Sequence, residues 1–214
     1  MGLPAKLSKI TVSLYAPMYE DFDRQLSKAL LRRDAFLDRM IAGELRYLGE
    51  DLAGKRISAA ARAHITRMLC GMGGNQDRLR LVSIAIRPET AVALKDAMAR
   101  HNLVRDAFLN RLIAFLRSSD ALLDALDLPK EVKNDWRDGT SPMPTSPLKV
   151  IEATEWDPLY YLRAACRLRH GCGLYELDFP GHLIGLSCFL NDDRVPGTPE
   201  HAMRMESETL EPVQ

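Results

Sequence analysis

The sequence predicts an α+β fold, mainly helical, in which two strand-helix-helix units of one chain pair as an intrachain pseudo-dimer: a two-stranded antiparallel ribbon with four helices, followed by a small acidic C-terminal α/β region. Three observations predict it. The chain contains a gapless internal repeat, each copy opens on an alternating apolar pattern, and in both copies the pattern changes to a helical period after a proline.

The repeat comes first because it sets the register of everything else. Arg33-Asp34-Ala35-Phe36-Leu37-Asp38-Arg39 returns as Arg105-Asp106-Ala107-Phe108-Leu109-Asn110-Arg111, an offset of 72. Between 31–42 and 103–114, nine of twelve positions are identical. Carried backwards, the same offset aligns Phe22 with Leu94 and Leu26 with Met98, and superposes Ile10, Val12 and Leu14 on Val82, Ile84 and Ile86.

Residues 9–15 and 81–87 alternate strictly, as a half-buried strand does. After Pro17 and Pro88, Phe22, Leu26 and Ala29 in one copy, and Leu94, Met98 and His101 in the other, mark one face of a short helix. His101-Asn102 suits a helix end with Asn in the left-handed conformation. A second helix then turns Phe36, Leu37, Met40 and Ile41, or Phe108, Leu109, Leu112 and Ile113, inward. One such unit leaves a strand edge unpaired and apolar faces exposed, so it must pair. The obvious partner is the other copy; pairing with a second chain, as a homodimer, remains the alternative.

The expected organisation is copy A over 1–49, a helical connector over 50–79, copy B over 80–128, a linker over 129–149 and an acidic region over 150–214. The connector carries a helix at 58–69, capped by Ser58 and ended by Gly71-Met72-Gly73-Gly74. A short helix is expected at 120–126, and the Pro- and Ser-rich stretch 138–147 reads as linker. Beyond it a helix is expected from Asp157-Pro158 to Leu168, strands at 174–179 and 183–190, and a loose tail from Asn191.

Strand, short helix, turn and second helix in this order and size resemble the ribbon-helix-helix fold of the Arc/MetJ superfamily, over residues 8–48 and 80–118; "RDAFLNRLI" is similar to the second helix of many members. The resemblance implies double-stranded DNA as partner, with the ribbon in the major groove and its outward side chains on base edges. Carried over, the readers are Lys9, Thr11, Ser13, Ser83 and Ala85. Lys9 is expected to donate to guanine O6/N7, and Thr11 to touch a thymine methyl. The resemblance also implies phosphates held at the N-termini of the second helices, at Arg32, Arg33, Val104 and Arg105. Arg80 and Arg87 flank the second strand beside the phosphates. Two departures stand out: Leu81, Ser83 and Ala85 make copy B's outward face nearly apolar, and Arg32 and Val104 stand where a Ser, Thr or Asn cap is usual.

Charge agrees with that partner. The chain has zero formal net charge, yet residues 1–119 hold 5 Lys and 15 Arg against 8 Asp and 4 Glu, net +8, and residues 120–214 hold the compensating −8. No run of about 18 apolar residues is present and the N-terminus lacks a secretion signal, so a cytoplasmic protein with free thiols and no membrane partner is expected.

Cys166, His170, Cys172, His182 and Cys188 include no Cys-x-x-Cys pair and fit no common zinc spacing, so no metal and no cofactor is expected. No catalytic triad, paired-carboxylate motif or phosphate loop stands out, so an enzyme is not expected. The expectation is a bacterial regulator: a transcriptional repressor, or a mobile-element or relaxosome accessory protein. Its acidic region is expected to engage a protein partner or to fold back on the basic face. The alternative is a protein-interaction scaffold that keeps the fold without base readout.

Overall fold

The computed structural model describes residues 7–72, 78–130, 155–179 and 181–210. Strands β1 (Ser8–Tyr15) and β2 (Leu79–Ile86) form a two-stranded antiparallel sheet. Around it lie α1 (Ala16–Lys28), α2 (Arg33–Asp51), α3 (Ala59–Met72), α4 (Pro88–His101), α5 (Arg105–Arg117), α6 (Asp120–Ala125), α7 (Tyr160–His170) and α8 (Pro199–Leu210). The class is therefore α+β and mainly helical.

Thr11 lies opposite Ser83, and the register runs Lys9 to Ala85 and Ser13 to Leu81. Ser83 is also the residue that matches Thr11 in the repeat, so the local two-fold axis relating the copies passes through this pair. Alternation does what the sequence asks of it: Val12, Leu14, Val82, Ile84 and Ile86 are buried, while Lys9, Thr11, Leu81 and Ser83 face outward. Each buried aliphatic side chain contributes about 1.5–3 kcal/mol.

The copies are interleaved rather than side by side. α2 packs on α4 and β2, whereas α5 packs on α1 and β1. Each second helix thus covers the strand of the other copy, and its first turns close that strand's outer edge. Asp106 accepts the Ser13 N–H at 2.9 Å and Asn110 the Tyr15 N–H at 2.8 Å. In the mirrored positions Asp34 accepts the Ala85 N–H at 3.1 Å and Asp38 the Arg87 N–H at 2.9 Å. An edge occupied this way offers no ladder to a further strand.

The helix ends follow local chemistry. Pro17 and Pro88 stand in the first turns of α1 and α4. Asn102 closes α4 in the left-handed conformation at φ 56°. In the connector, the Ser58 hydroxyl accepts the Ala61 N–H at 3.0 Å and starts α3. The expected boundaries shift slightly, since α2 continues to Asp51 and β2 begins at Leu79. α7 starts at Tyr160 and ends at His170, two to three residues beyond its expected limits.

The C-terminal region departs further from expectation. Residues 174–179 form turns, not a strand. Leu174, Tyr175, Leu177 and Phe179 are all buried, and the carbonyls of Leu174 and Leu177 accept hydrogen bonds from the Arg111 guanidinium at 2.6 and 2.8 Å. A side chain supplies the donors that a ladder would have supplied. The apolar stretch expected as a strand at 183–190 instead holds a 3-10 helix, Gly181–Leu186. The expected loose tail contains α8, which Thr198 starts by accepting the His201 N–H at 3.3 Å ahead of Pro199. The proline-rich stretch 138–147 lies outside the described residues.

These C-terminal elements share one continuous core with the helices of the repeat. A Cβ on Gly43 would come within 2.6 Å of the Glu155 carbonyl oxygen, so the chain after 155 lies directly on α2. Beneath it, the buried Arg163 pairs with Glu44 at 2.9 Å, with Asp157 at 3.3 Å and with Asp51. Arg167 reaches Asp51 at 3.5 Å from the edge of the cluster, and three carboxylates against these two guanidiniums leave excess negative charge. Burial pushes the Glu44 carboxyl up despite Arg163, and burial together with Glu44 pushes Asp157 up to about 6.

Candidate nucleic-acid interface

The outward face of the ribbon is the surface to which sequence reasoning assigned base contacts. Lys9, Thr11 and Ser83 are exposed there and Ser13 and Ala85 are half-buried, with the C-terminal elements in place. Register sets them in two unlike ends about the Thr11–Ser83 pair. Lys9 stands across from Ala85 at one end, and Ser13 across from Leu81 at the other. Leu81 is 74% exposed, a large apolar side chain on the same face.

The helix N-termini flank this face symmetrically. Arg33 donates to the Ser83 carbonyl at 3.0 Å, to the Tyr19 hydroxyl at 2.6 Å and to Asp34 at 2.7 Å. Arg105 repeats the pattern, donating to the Thr11 carbonyl at 2.6 Å and to Asp106 at 3.0 Å. Both guanidiniums are therefore fixed beside the ribbon, and their side chains keep 32% and 43% of their surface open. A guanidinium has five donors, so each retains some for an anion. Neither Arg32 nor Val104 makes a side-chain cap; the unpaired N–H groups of α2 and α5 face outward with the positive ends of the helix dipoles.

The other sequence-derived positions are placed less uniformly. Arg32 is exposed and makes no ion pair among the described residues. Arg87 is tied to Asp38 and lies 3.6 Å from Glu89. Arg80 has the same strand parity as the buried Val82 and turns toward α1, 3.6 Å from Glu20 and over the Tyr19 ring. It therefore sits off the ribbon's outward face. No family model matches the chain, and none of the curated proteins or solved structures compared with it matches either.

Sequence reasoning missed a cleft of about 1090 Å³ that opens from the Lys9 end of the ribbon along α2. Leu7, Ala85 and Arg87 line it at the ribbon, Arg32, Arg39 and Arg46 along the helix, and Glu155 and Trp156 at the far wall. Arg46 stacks over the Trp156 ring at 4.6 Å, and Arg39 pairs with Glu155. The signal was present as arginines seven residues apart, which share a helix face; what hid it was that Trp156 arrives from more than a hundred residues away.

The repeat predicts a second such cleft beside α5, and there the chain fills its own. Arg111, the match of Arg39, is completely buried under the turns at 174–179 and packs against the rings of Phe179 at 4.5 Å and Phe115 at 5.1 Å. Other candidates have structural roles as well. Cys166 and Cys172 bring their sulfurs to 3.8 Å, and the His170 ring meets the Leu126 carbonyl at 3.0 Å. Among the described residues no group of three or more His, Cys, Asp or Glu is arranged to hold a metal, and no helix is long and apolar enough to cross a membrane.

Proposed function

We propose that this chain is a tandem ribbon-helix-helix protein in which one polypeptide supplies both halves of a double-stranded DNA-binding unit. The observation that carries the reading is the pair Arg33–Ser83 carbonyl and Arg105–Thr11 carbonyl, related by the local two-fold axis. It fixes two helix N-termini and two guanidiniums on either side of an exposed ribbon bearing Lys9, Thr11 and Ser83. Such a face meets the requirements of a β-ribbon in a major groove, with base contacts from its centre and phosphate contacts from its flanks. The basic N-terminal half supports it.

The biological roles that fit are a transcriptional repressor or an accessory protein of a mobile element. The acidic C-terminal third would serve as the contact for a protein partner; Met203, 70% exposed on α8, is a feature that supports this. A second reading, a protein-docking scaffold, rests on the exposed Leu81. The test is selection of duplexes from a random pool by the full chain and by a Lys9→Ala, Thr11→Ala variant. Loss of a shared sequence motif in the variant, with nonspecific affinity retained, supports base readout. An unchanged motif removes Lys9 and Thr11 as readers, and the absence of any enrichment by the full chain favours the scaffold.

A further inference from the structure

Resting on the DNA-binding reading, we infer that the open cleft along α2 takes the sugar-phosphate backbone of duplex DNA flanking the half-site at the Lys9 end, so that the protein contacts its DNA asymmetrically. The cleft begins at the ribbon itself, since Ala85 and Arg87 line it, and a backbone leaving the groove face at that end enters it without a gap.

From its N-cap onward, one face of α2 lines the cleft with Arg32, Ala35, Arg39, Ala42 and Arg46, large and small in turn. Their spacing of three and four residues keeps them on one face, and arginines recur about every 10 Å. The alanines leave a trough between them. Asp23, Asp34, Asp38 and Glu155 also line the cleft against five arginines; the oxygens of Asp34 and Asp38 are committed to the Ala85 and Arg87 backbone N–H groups and to Arg33 and Arg87, and Glu155 pairs with Arg39. Arg32 and Arg46 have no carboxylate partner among the described residues, which leaves two unneutralised guanidiniums 14 residues apart. Trp156, 64% exposed behind Arg46, offers a flat face to a deoxyribose at the far end.

The asymmetry follows from the repeat. On the other side Val104 replaces Arg32, and Arg111, in place of Arg39, is sealed beneath the chain's own turns. Among the described residues no open arginine stripe continues from Arg105 along α5 as it does along α2. A protein strand could enter an open cleft too, but the arginine stripe favours a polyanion continuous with the ribbon's ligand.

The experiment uses the full chain with Trp136, its other tryptophan, changed to Phe. A random-sequence duplex of about 30 base pairs is titrated in, with binding followed by fluorescence anisotropy of a labelled probe and cleft occupancy by the Trp156 emission with an unlabelled one. Expected are an emission change that saturates together with binding, and a reduced salt slope in Arg32→Gln, Arg46→Gln, by about one unit per lost contact, with a several-fold weaker affinity. Arg169→Gln, outside the cleft on α7, reports the effect of charge alone. Binding by anisotropy without any change in Trp156 emission, or equal losses in the cleft and control variants, overturns the inference and leaves the DNA-binding reading standing. Failure to bind the duplex overturns both.

Discussion

Asp38 accepts the backbone N–H of Arg87 at 2.9 Å and also holds its guanidinium. The matching pair across the two-fold axis is Asn110 and Tyr15, joined at 2.8 Å. Thus the copies keep one backbone contact and change its charge together: a carboxylate where the partner is Arg, an amide where it is Tyr. Asn110→Asp would bury a charge without its cation, and a loss of about 2–3 kcal/mol is expected in urea unfolding. A variant as stable as the parent would show that the pairing is incidental.

A second prediction comes from the helix ends. Leu30 occupies the position that Asn102 holds in copy B, and both adopt the left-handed conformation, at φ 57° and 56°. Leu30 is also 91% exposed, so its side chain gains nothing from burial. Leu30→Asn is expected to raise stability by up to about 1 kcal/mol, seen as a higher melting temperature, because Asn tolerates this conformation better. A lower melting temperature would contradict the assigned geometry.

The two matched arginines Arg39 and Arg111 give the sharpest contrast. Arg39→Ala removes an exposed ion pair and should change stability by less than about 1 kcal/mol. Arg111→Ala strips the donors from two carbonyls and opens the space between three aromatic rings, and a loss of about 3 kcal/mol or more is expected. Equal effects in denaturant unfolding would mean that the C-terminal turns do not seal α5.

The fourth prediction concerns pH. The Asp157 carboxyl has a folded-state value of about 6, above its ordinary 3.8, so the folded state binds its proton more tightly than the unfolded state. Its contribution therefore rises as pH falls from about 7 through 6 and is complete below about 4. Asp157→Asn should stabilise the chain at pH 7.5 more than at pH 5, measured as the difference in urea midpoint from the parent. The same difference at both values would contradict the raised Asp157 pKa.

The sequence made the ribbon legible because two signals coincided at one offset: period-2 burial and a helix motif repeated without a gap. Lys9, Thr11 and Ser83 follow from parity alone. Arg80 could not be placed that way, because at a strand end the choice between the outward face and α1 depends on Glu20 and Tyr19. The C-terminal region was misread for a physical reason. Alternating apolar residues imply a strand only if a ladder exists, and Arg111 removed the need for one. Neither its burial nor Trp156 at the cleft is encoded nearby, since each depends on segments distant in sequence meeting α5 or α2.

The central claim is that the chain binds duplex DNA through the ribbon and its flanking helix ends, and the most direct measurement is affinity for duplex DNA against salt concentration. The full chain is required, because the C-terminal region forms part of the core. Tight binding whose logarithm falls linearly with log salt is expected, with a slope reduced by about two units in Arg33→Ala, Arg105→Ala. A folded chain that binds no duplex at low salt, or whose affinity ignores salt, would contradict the account.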